Sequence, residues 1–232
     1  MTGKTHRAGG MVCAAGGYLL LSHAGMLEEG VSPILQLALL YPFCMWGSVM
    51  SDLDQNWNSC PSKDIVSLAF HGVLHLGTRY RNTVDDKHLP KGFIYHFLGL
   101  FDAKHRSWQT HSDVLLFLFC LLLYGLKTGK LFPRGSLNGT DLSIMFTGVT
   151  LGLLAHLSLD MLTPEGIWSL PLCLLKKVFK LPISGRFHLV PHVGFFATDG
   201  PWETVVRFML WTLSVALFSY IIALQFGMKP LF

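Results

Sequence analysis

His105-Arg106-Ser107-Trp108-Gln109-Thr110-His111-Ser112 stands directly before Val114 to Leu126, the most apolar run in the chain. Two imidazoles, a guanidinium and several hydroxyls at the mouth of a hydrophobic helix need partners wherever they are drawn out of water. The juxtaposition reads as a site at a membrane surface. Polar residues distant in sequence are expected to converge on it.

Composition supports a membrane setting. Of 232 residues, 51% are hydrophobic and only 14% charged, and the mean hydropathy is +0.44. A soluble chain would spread charge over its surface, whereas here apolar residues gather into runs approaching the ~20 residues that cross a bilayer. The formal charge of +4 is modest and implies no nucleic-acid binding. Cys13, Cys44, Cys60, Cys120 and Cys173 are scattered and lack a Cys-x-x-Cys pattern. They read as free thiols, which excludes a disulfide framework and a cysteine zinc site.

The expected fold is all-α: a polytopic integral membrane helical bundle, one domain over residues 1–232, with about five transmembrane helices plus interfacial helices. Spans are expected near residues 9–26, 33–49, 114–126, 142–162 and 204–226. The first is glycine-rich, which permits close packing on a neighbour, and reads as a retained helix because no clear small-x-small cleavage site follows it. Pro201 suits the first turn of the fifth. Residues 62–77 and 93–101 are apolar but short, and 167–180 carries Lys176, Lys177 and Lys180, so all three read as interfacial helices. Residues 79–91 and 185–199 read as loops.

With the amino terminus in the cytoplasm, the positive-inside rule is satisfied. Lys63, Arg79, Arg81, Lys87, Lys91, Lys104 and Arg106 fall in one inner loop and Lys176, Lys177, Lys180 and Arg186 in another, against Lys127, Lys130, Arg134 and Lys229 outside. The same orientation carries His6, Asp52, Asp54, His105, His111, His156, Asp160 and Glu203 to one membrane face. Five helix ends meet there.

His156 and Asp160 lie one helical turn apart on one face and can share a cation, although a hydrogen bond that only packs the bundle explains the pair as well. Asp52-x-Asp54 can end a helix, or supply two carboxylates that repel unless a cation lies between them. Mixed His and Asp ligation suits zinc, manganese or iron(II). The number of candidate donors admits one or two divalent ions, the latter being an arrangement that clamps the oxygens of an ester under attack. Arg106 could stabilise a phosphoryl oxyanion or bind lipid headgroups. Thr110 and Ser112 cap the third span or orient ligands from behind, and capping is the preferred reading. His71 and His75 are read as interfacial, and His23, His88, His96, His188 and His192 have no spacing that demands chemistry.

Thr5-His6, Ser51-Asp52-Leu53-Asp54, His105-Arg106-x-x-x-Thr110-His111-Ser112 and Ala155-His156-x-x-x-Asp160-x-x-Thr163-Pro164-x-Gly166 together resemble the YdjM-like, membrane-bound metal-dependent hydrolases, also labelled LexA-binding, inner-membrane-associated hydrolases. Ser51 stands where that family commonly has proline. The resemblance implies a multi-pass protein of the bacterial inner membrane with a metal-dependent hydrolytic activity. Its placement suggests a phosphoester of a lipid or lipid-linked substrate, with His6, Asp52, Asp54, His105, His111, His156 and Asp160 as metal ligands. Arg106 would steady developing charge, and Asp54 or Glu203 would act as base. The competing expectation is a non-enzymatic adaptor binding a regulatory protein such as a LexA-type repressor. A metal transporter would need polar residues continuing through the spans, which they lack.

Overall fold

A computed structural model of the chain describes residues 1–28, 30–86, 92–131, 137–189 and 200–227. Nine helices are assigned among these: α1 (Gly3–His23), α2 (Pro33–Met50), α3 (Ile65–Leu74), α4 (Leu76–Asp86), α5 (Phe93–Leu98), α6 (Asp113–Lys127), α7 (Leu137–Asp160), α8 (Leu170–Phe179) and α9 (Pro201–Gln225). A two-stranded antiparallel ribbon pairs β1 (Ile167–Trp168) with β2 (Arg186–Phe187). His88 and His192 lie outside the described residues.

Local chemistry starts these helices where it should. Ser32 accepts the Leu35 amide before Pro33 at the first turn of α2, Asp64 accepts the Ser67 amide ahead of α3, and Ser112 accepts the Leu115 amide ahead of α6. Three segments are long and apolar enough to cross a membrane: Pro33–Asp54, Thr140–Asp160 and Pro201–Gln225. The expected count was five. At 15 residues α6 spans only about 22 Å against a hydrocarbon core of about 30 Å. Helix α1 has 21 residues, but its glycines and polar side chains dilute its hydropathy.

Two further boundaries differ from expectation. Residues 79–86 are helical rather than loop, because Thr78 and Arg81 on α4 both bind Asp102, the latter at 2.8 Å. Helix α8 begins at Leu170 rather than Ile167: Trp168 instead donates its amide to the His111 carbonyl at 2.8 Å and its strand pairs with β2. The five cysteines are free.

The core that positions the polar residues is a contact between α1, α2 and α7 built on residues four apart. On α7 the row is Gly148, Gly152, His156 and Asp160, and on α2 and the 3-10 turn that continues it (Ser51–Asp54) it is Leu40, Cys44, Ser48 and Asp52. A Cβ at Gly148 would meet the Leu40 carbonyl, and one at Gly152 would strike the Cys44 carbonyl and the Ser48 amide. One step further along, His156 hydrogen-bonds the Ser48 carbonyl. The two helices therefore run in the same direction with their i±4 ridges in contact. Small residues let the backbones approach. Helix α1 runs the opposite way: Gly9 abuts Leu159, Gly17 abuts Leu151, and Gly10 abuts Ser48 while its carbonyl accepts from Cys44 Sγ. Glycine packing by the first helix was expected; the Gly148-x-x-x-Gly152 seam was not.

Candidate metal centre

The rows on α1, α2 and α7 end together, and their last members are His6, Asp52, His156 and Asp160. The loop before α6 supplies His111 to the same point. All five side chains are buried.

The His156 tautomer follows from its backbone partner. A carbonyl only accepts, so Nδ1–H donates to Ser48 O at 2.8 Å and the Nε2 lone pair faces the cluster. His111 is oriented by a relay: the Thr110 hydroxyl donates to Asp54 Oδ2 at 2.5 Å, leaving its oxygen to accept from His111 Nδ1 at 3.0 Å. Nε2 of His111 thereby also points inward. The two Nε2 atoms lie 3.2 Å apart. Asp160 Oδ2 is 3.3 Å from His156 Nε2 and 3.5 Å from His111 Nε2, and Asp52 Oδ1 is 3.6 Å from His111 Nε2 and 4.0 Å from His156 Nε2. Two imidazole lone pairs and two carboxylates facing one another repel unless a cation or proton lies among them.

A cation fits. Ligands 2.0–2.2 Å from a tetrahedral ion are separated by about 3.3–3.6 Å, close to most of the separations just given. Asp160 Oδ2 and both ring nitrogens of His6 are buried without a hydrogen-bond partner, as expected of groups aimed at something other than protein. The carbonyl and hydroxyl behind the two imidazoles are the outer partners that metal-bound histidines require.

His6 stacks on His156 with centroids 3.8 Å apart, and its Nε2 lies 3.4 Å from Asp160 Oδ1 and 4.0 Å from Asp52 Oδ2. The Met1 amino group approaches Asp160 Oδ1 at 3.4 Å. Three overlapping groups of potential ligand atoms within 4.8 Å of one another result: His6, Asp52 and His156; Asp52, His105 and His111; His111, His156 and Asp160. They could hold a metal ion. Asp52, His111 and His156 each belong to two of them.

The remaining residues singled out in the sequence surround this cluster. Asp54 accepts from His105 Nδ1 and from the Arg106 amide, both at 3.0 Å, as well as from Thr110. Its oxygens thus hold the loop that carries His111. The His105 side chain is 46% exposed. Arg106 has a left-handed backbone, φ 58°, pinned at its amide by Asp54 and at its carbonyl by Trp168 Nε1 at 3.1 Å. Such a conformation costs a non-glycine residue about 1–3 kcal/mol and persists only where the surroundings enforce it. Its guanidinium reaches Glu165 at 3.1 Å, Thr163 at 3.3 Å and Asp160 at 3.9 Å. Buried Glu203, at the start of α9, accepts from the Thr2 amide at 2.5 Å and from the Thr2 and Thr5 hydroxyls at 2.6 Å, tying α9 to the helix that carries His6. Of the two residues read as caps, only Ser112 caps α6. His71 is buried, with Nε2 3.0 Å from the Gln55 carbonyl. Thr163 went unnoticed as a partner of Arg106, although it follows Asp160 by three residues and its hydroxyl donates to the Asp160 carbonyl.

Burial alone would lower the pKa of His111, but the carboxylates of Asp52 and Asp54 outweigh it and push the imidazole up to about 9. Below that pH a proton occupies the position a cation would take. Binding a metal through Nε2 must expel it, so apparent affinity is expected to rise up to tenfold per pH unit and to level off above about pH 9. Competition with a chromophoric chelator, corrected for the chelator's own protonation, measures this; a flat profile between about pH 6 and 8 would remove His111 from the ligand set.

The family model described as "YdjM inner membrane protein" matches residues 1–227 of the chain. No curated protein and no solved structure matches it.

Proposed function

The chain belongs to the YdjM inner membrane protein family, and from that membership and the buried His and Asp cluster we propose that it is a metal-dependent hydrolase working at the cytoplasmic face of the bacterial inner membrane. The carrying observation is the set of buried, inward-facing acceptors: His111 and His156 Nε2 lie 3.2 Å apart, and Asp160 Oδ2 and Asp52 Oδ1 each lie 3.3–4.0 Å from both of them. In this reading α1 and α6 complete five spans, with the amino terminus inside. The long apolar face of α9, with Phe208, Met209 and Val215 exposed, suits contact with lipid.

His111, His156, Asp160 and Asp52 would hold the ion, zinc, manganese or iron(II), and His6 and His105 would complete a second position where two are bound. An ion held there would supply Lewis-acid chemistry toward an ester oxygen and would lower the pKa of water at the site. Thr110, held by Asp54, and the Ser48 carbonyl fix the imidazole tautomers. The guanidinium of Arg106, beside Asp160 and only 11% exposed, is placed to meet negative charge developing on a phosphoryl group, where a preorganised donor is worth far more than in water. A phosphoester of a lipid or lipid-linked compound is the favoured substrate class, because a site at the ends of membrane helices is reached laterally.

The test is metal content by mass spectrometry on detergent-purified protein, followed by release of phosphate or alcohol from phospholipid substrates. Stoichiometric zinc, manganese or iron with chelator-sensitive hydrolysis supports the reading. Protein that purifies without metal, and takes none up when it is supplied, would leave a binding role for the cytoplasmic loops as the better account.

A further inference from the structure

Beside the candidate centre lies a cavity of about 480 Å³ whose wall includes Asp54 and His105, so it shares a side with the residues that hold the His111 loop. Its remaining wall comes from three segments distant in sequence: the turn carrying Gln55, Asn56 and Ser59, the α3–α4 junction with His75 and Thr78, and Asp102 to Lys104.

The balance of donors and acceptors on this wall is uneven. Both of its acids are already satisfied inside the protein: Asp102 by Arg81 and Thr78, and Asp54 by His105, the Arg106 amide and Thr110. The donors are not. His75 Nε2 is buried without a hydrogen-bond partner, and the solvent-exposed Lys104 ammonium and Asn56 side-chain amide lie on the wall with no hydrogen bond or ion pair to the protein among the described residues. A buried polar atom left unpaired costs free energy that a ligand can recover. Surplus donors with one fixed positive charge select an anion.

We propose that this cavity is the subsite for a phosphate ester group, with Lys104, His75 and Asn56 as its contacts, and that it presents the ester to the candidate centre across the Asp54–His105 wall. The assignment rests on the hydrolase reading for its purpose, though not for its existence. The phosphate could belong to a lipid headgroup or to a soluble ester. The exposed apolar residues Ile65, Val66, Leu68 and Val73 of α3, the helix that ends at His75, favour the lipid.

The experiment is calorimetric titration of the detergent-purified full chain with sn-glycerol 3-phosphate and with glycerol, in wild type, Lys104→Gln and His75→Phe, with metal content measured on each sample. The expected result is binding of glycerol 3-phosphate and not of glycerol, weakened roughly tenfold or more in each variant while metal content stays unchanged. Competition by phosphatidic acid in nanodiscs assigns the site to a lipid headgroup, and failure to compete assigns it to a soluble ester. Equal binding of glycerol, no binding to wild type, or affinity that survives both substitutions overturns the proposal even if metal is present. Lys104-dependent phosphate binding by protein that holds no metal would instead overturn the hydrolase reading and leave this subsite standing.

Discussion

Asp160→Ala is expected to leave the purified protein with less than about a tenth of the wild-type metal content and with no measurable metal-dependent hydrolysis. Asp160 is fully buried and approaches three imidazoles at once, with Oδ2 at 3.3 Å from His156 and 3.5 Å from His111 and Oδ1 at 3.4 Å from His6. Removing it takes away the carboxylate common to these contacts. A residue standing behind a ligand typically costs 10- to 100-fold in metal affinity, and that smaller loss is expected for Thr110→Val, which releases His111 Nδ1 without touching an inward-facing atom. The graded pair separates a coordination site from a packing motif. If His156 and Asp160 only stabilise the bundle, both variants should alter thermal stability and leave metal content alone. Asp160→Asn, nearly isosteric, guards against a folding artefact: it should keep the monodisperse profile of wild type while losing most of the metal.

Gly152→Leu is expected to produce the largest loss of stability of any single substitution on α7, roughly 3 kcal/mol or more, and to remove bound metal without altering a polar residue. A Cβ at position 152 would run into the Cys44 carbonyl and the Ser48 amide, backbone atoms that cannot rotate away. Overpacking a tight contact costs about 1–3 kcal/mol even where side chains can adjust, and here the helices must separate. Separation breaks the 2.8 Å bond from His156 Nδ1 to Ser48 O and so unfixes the tautomer on which the inward Nε2 depends. Leucine at Gly16, where nothing lies within 4 Å of the Cβ position, is the matched control. Denaturation in mixed micelles with metal analysis of the surviving folded fraction measures both effects. A Gly152→Leu protein as stable and metal-loaded as the Gly16→Leu protein would mean that the α2–α7 contact is looser than described.

Much of this protein is legible in one dimension. The helix start at Ser112 follows from a side-chain oxygen before an apolar run, and the long apolar segments of α2, α7 and α9 stand out by hydropathy alone. The boundaries that went astray, at α4 and α8, were decided by partners distant in sequence: Asp102 holding Arg81, and the His111 carbonyl capturing the Trp168 amide. The Gly148-x-x-x-Gly152 row, continued every fourth residue by His156 and Asp160, was readable in principle. It passes unnoticed because nothing in α7 alone says which of its faces meets a neighbour.

From its residues this protein is determined to be a mostly helical chain with segments able to cross a membrane, free thiols, and a small set of ionisable groups gathered at helix ends. That much follows from local quantities: apolar run length, turn chemistry and the cost of leaving charge in hydrocarbon. Only the tertiary structure decided which members of that set face one another. Asp52 and Asp54 are two residues apart, yet one points at the imidazoles and the other holds the loop that delivers them. Glu203 braces the amino-terminal turn. The division comes from backbone approach: glycines let α1, α2 and α7 close until their four-residue rows end in register, and a side chain becomes an inward-facing acceptor or a support according to which carbonyl or hydroxyl then lies behind it.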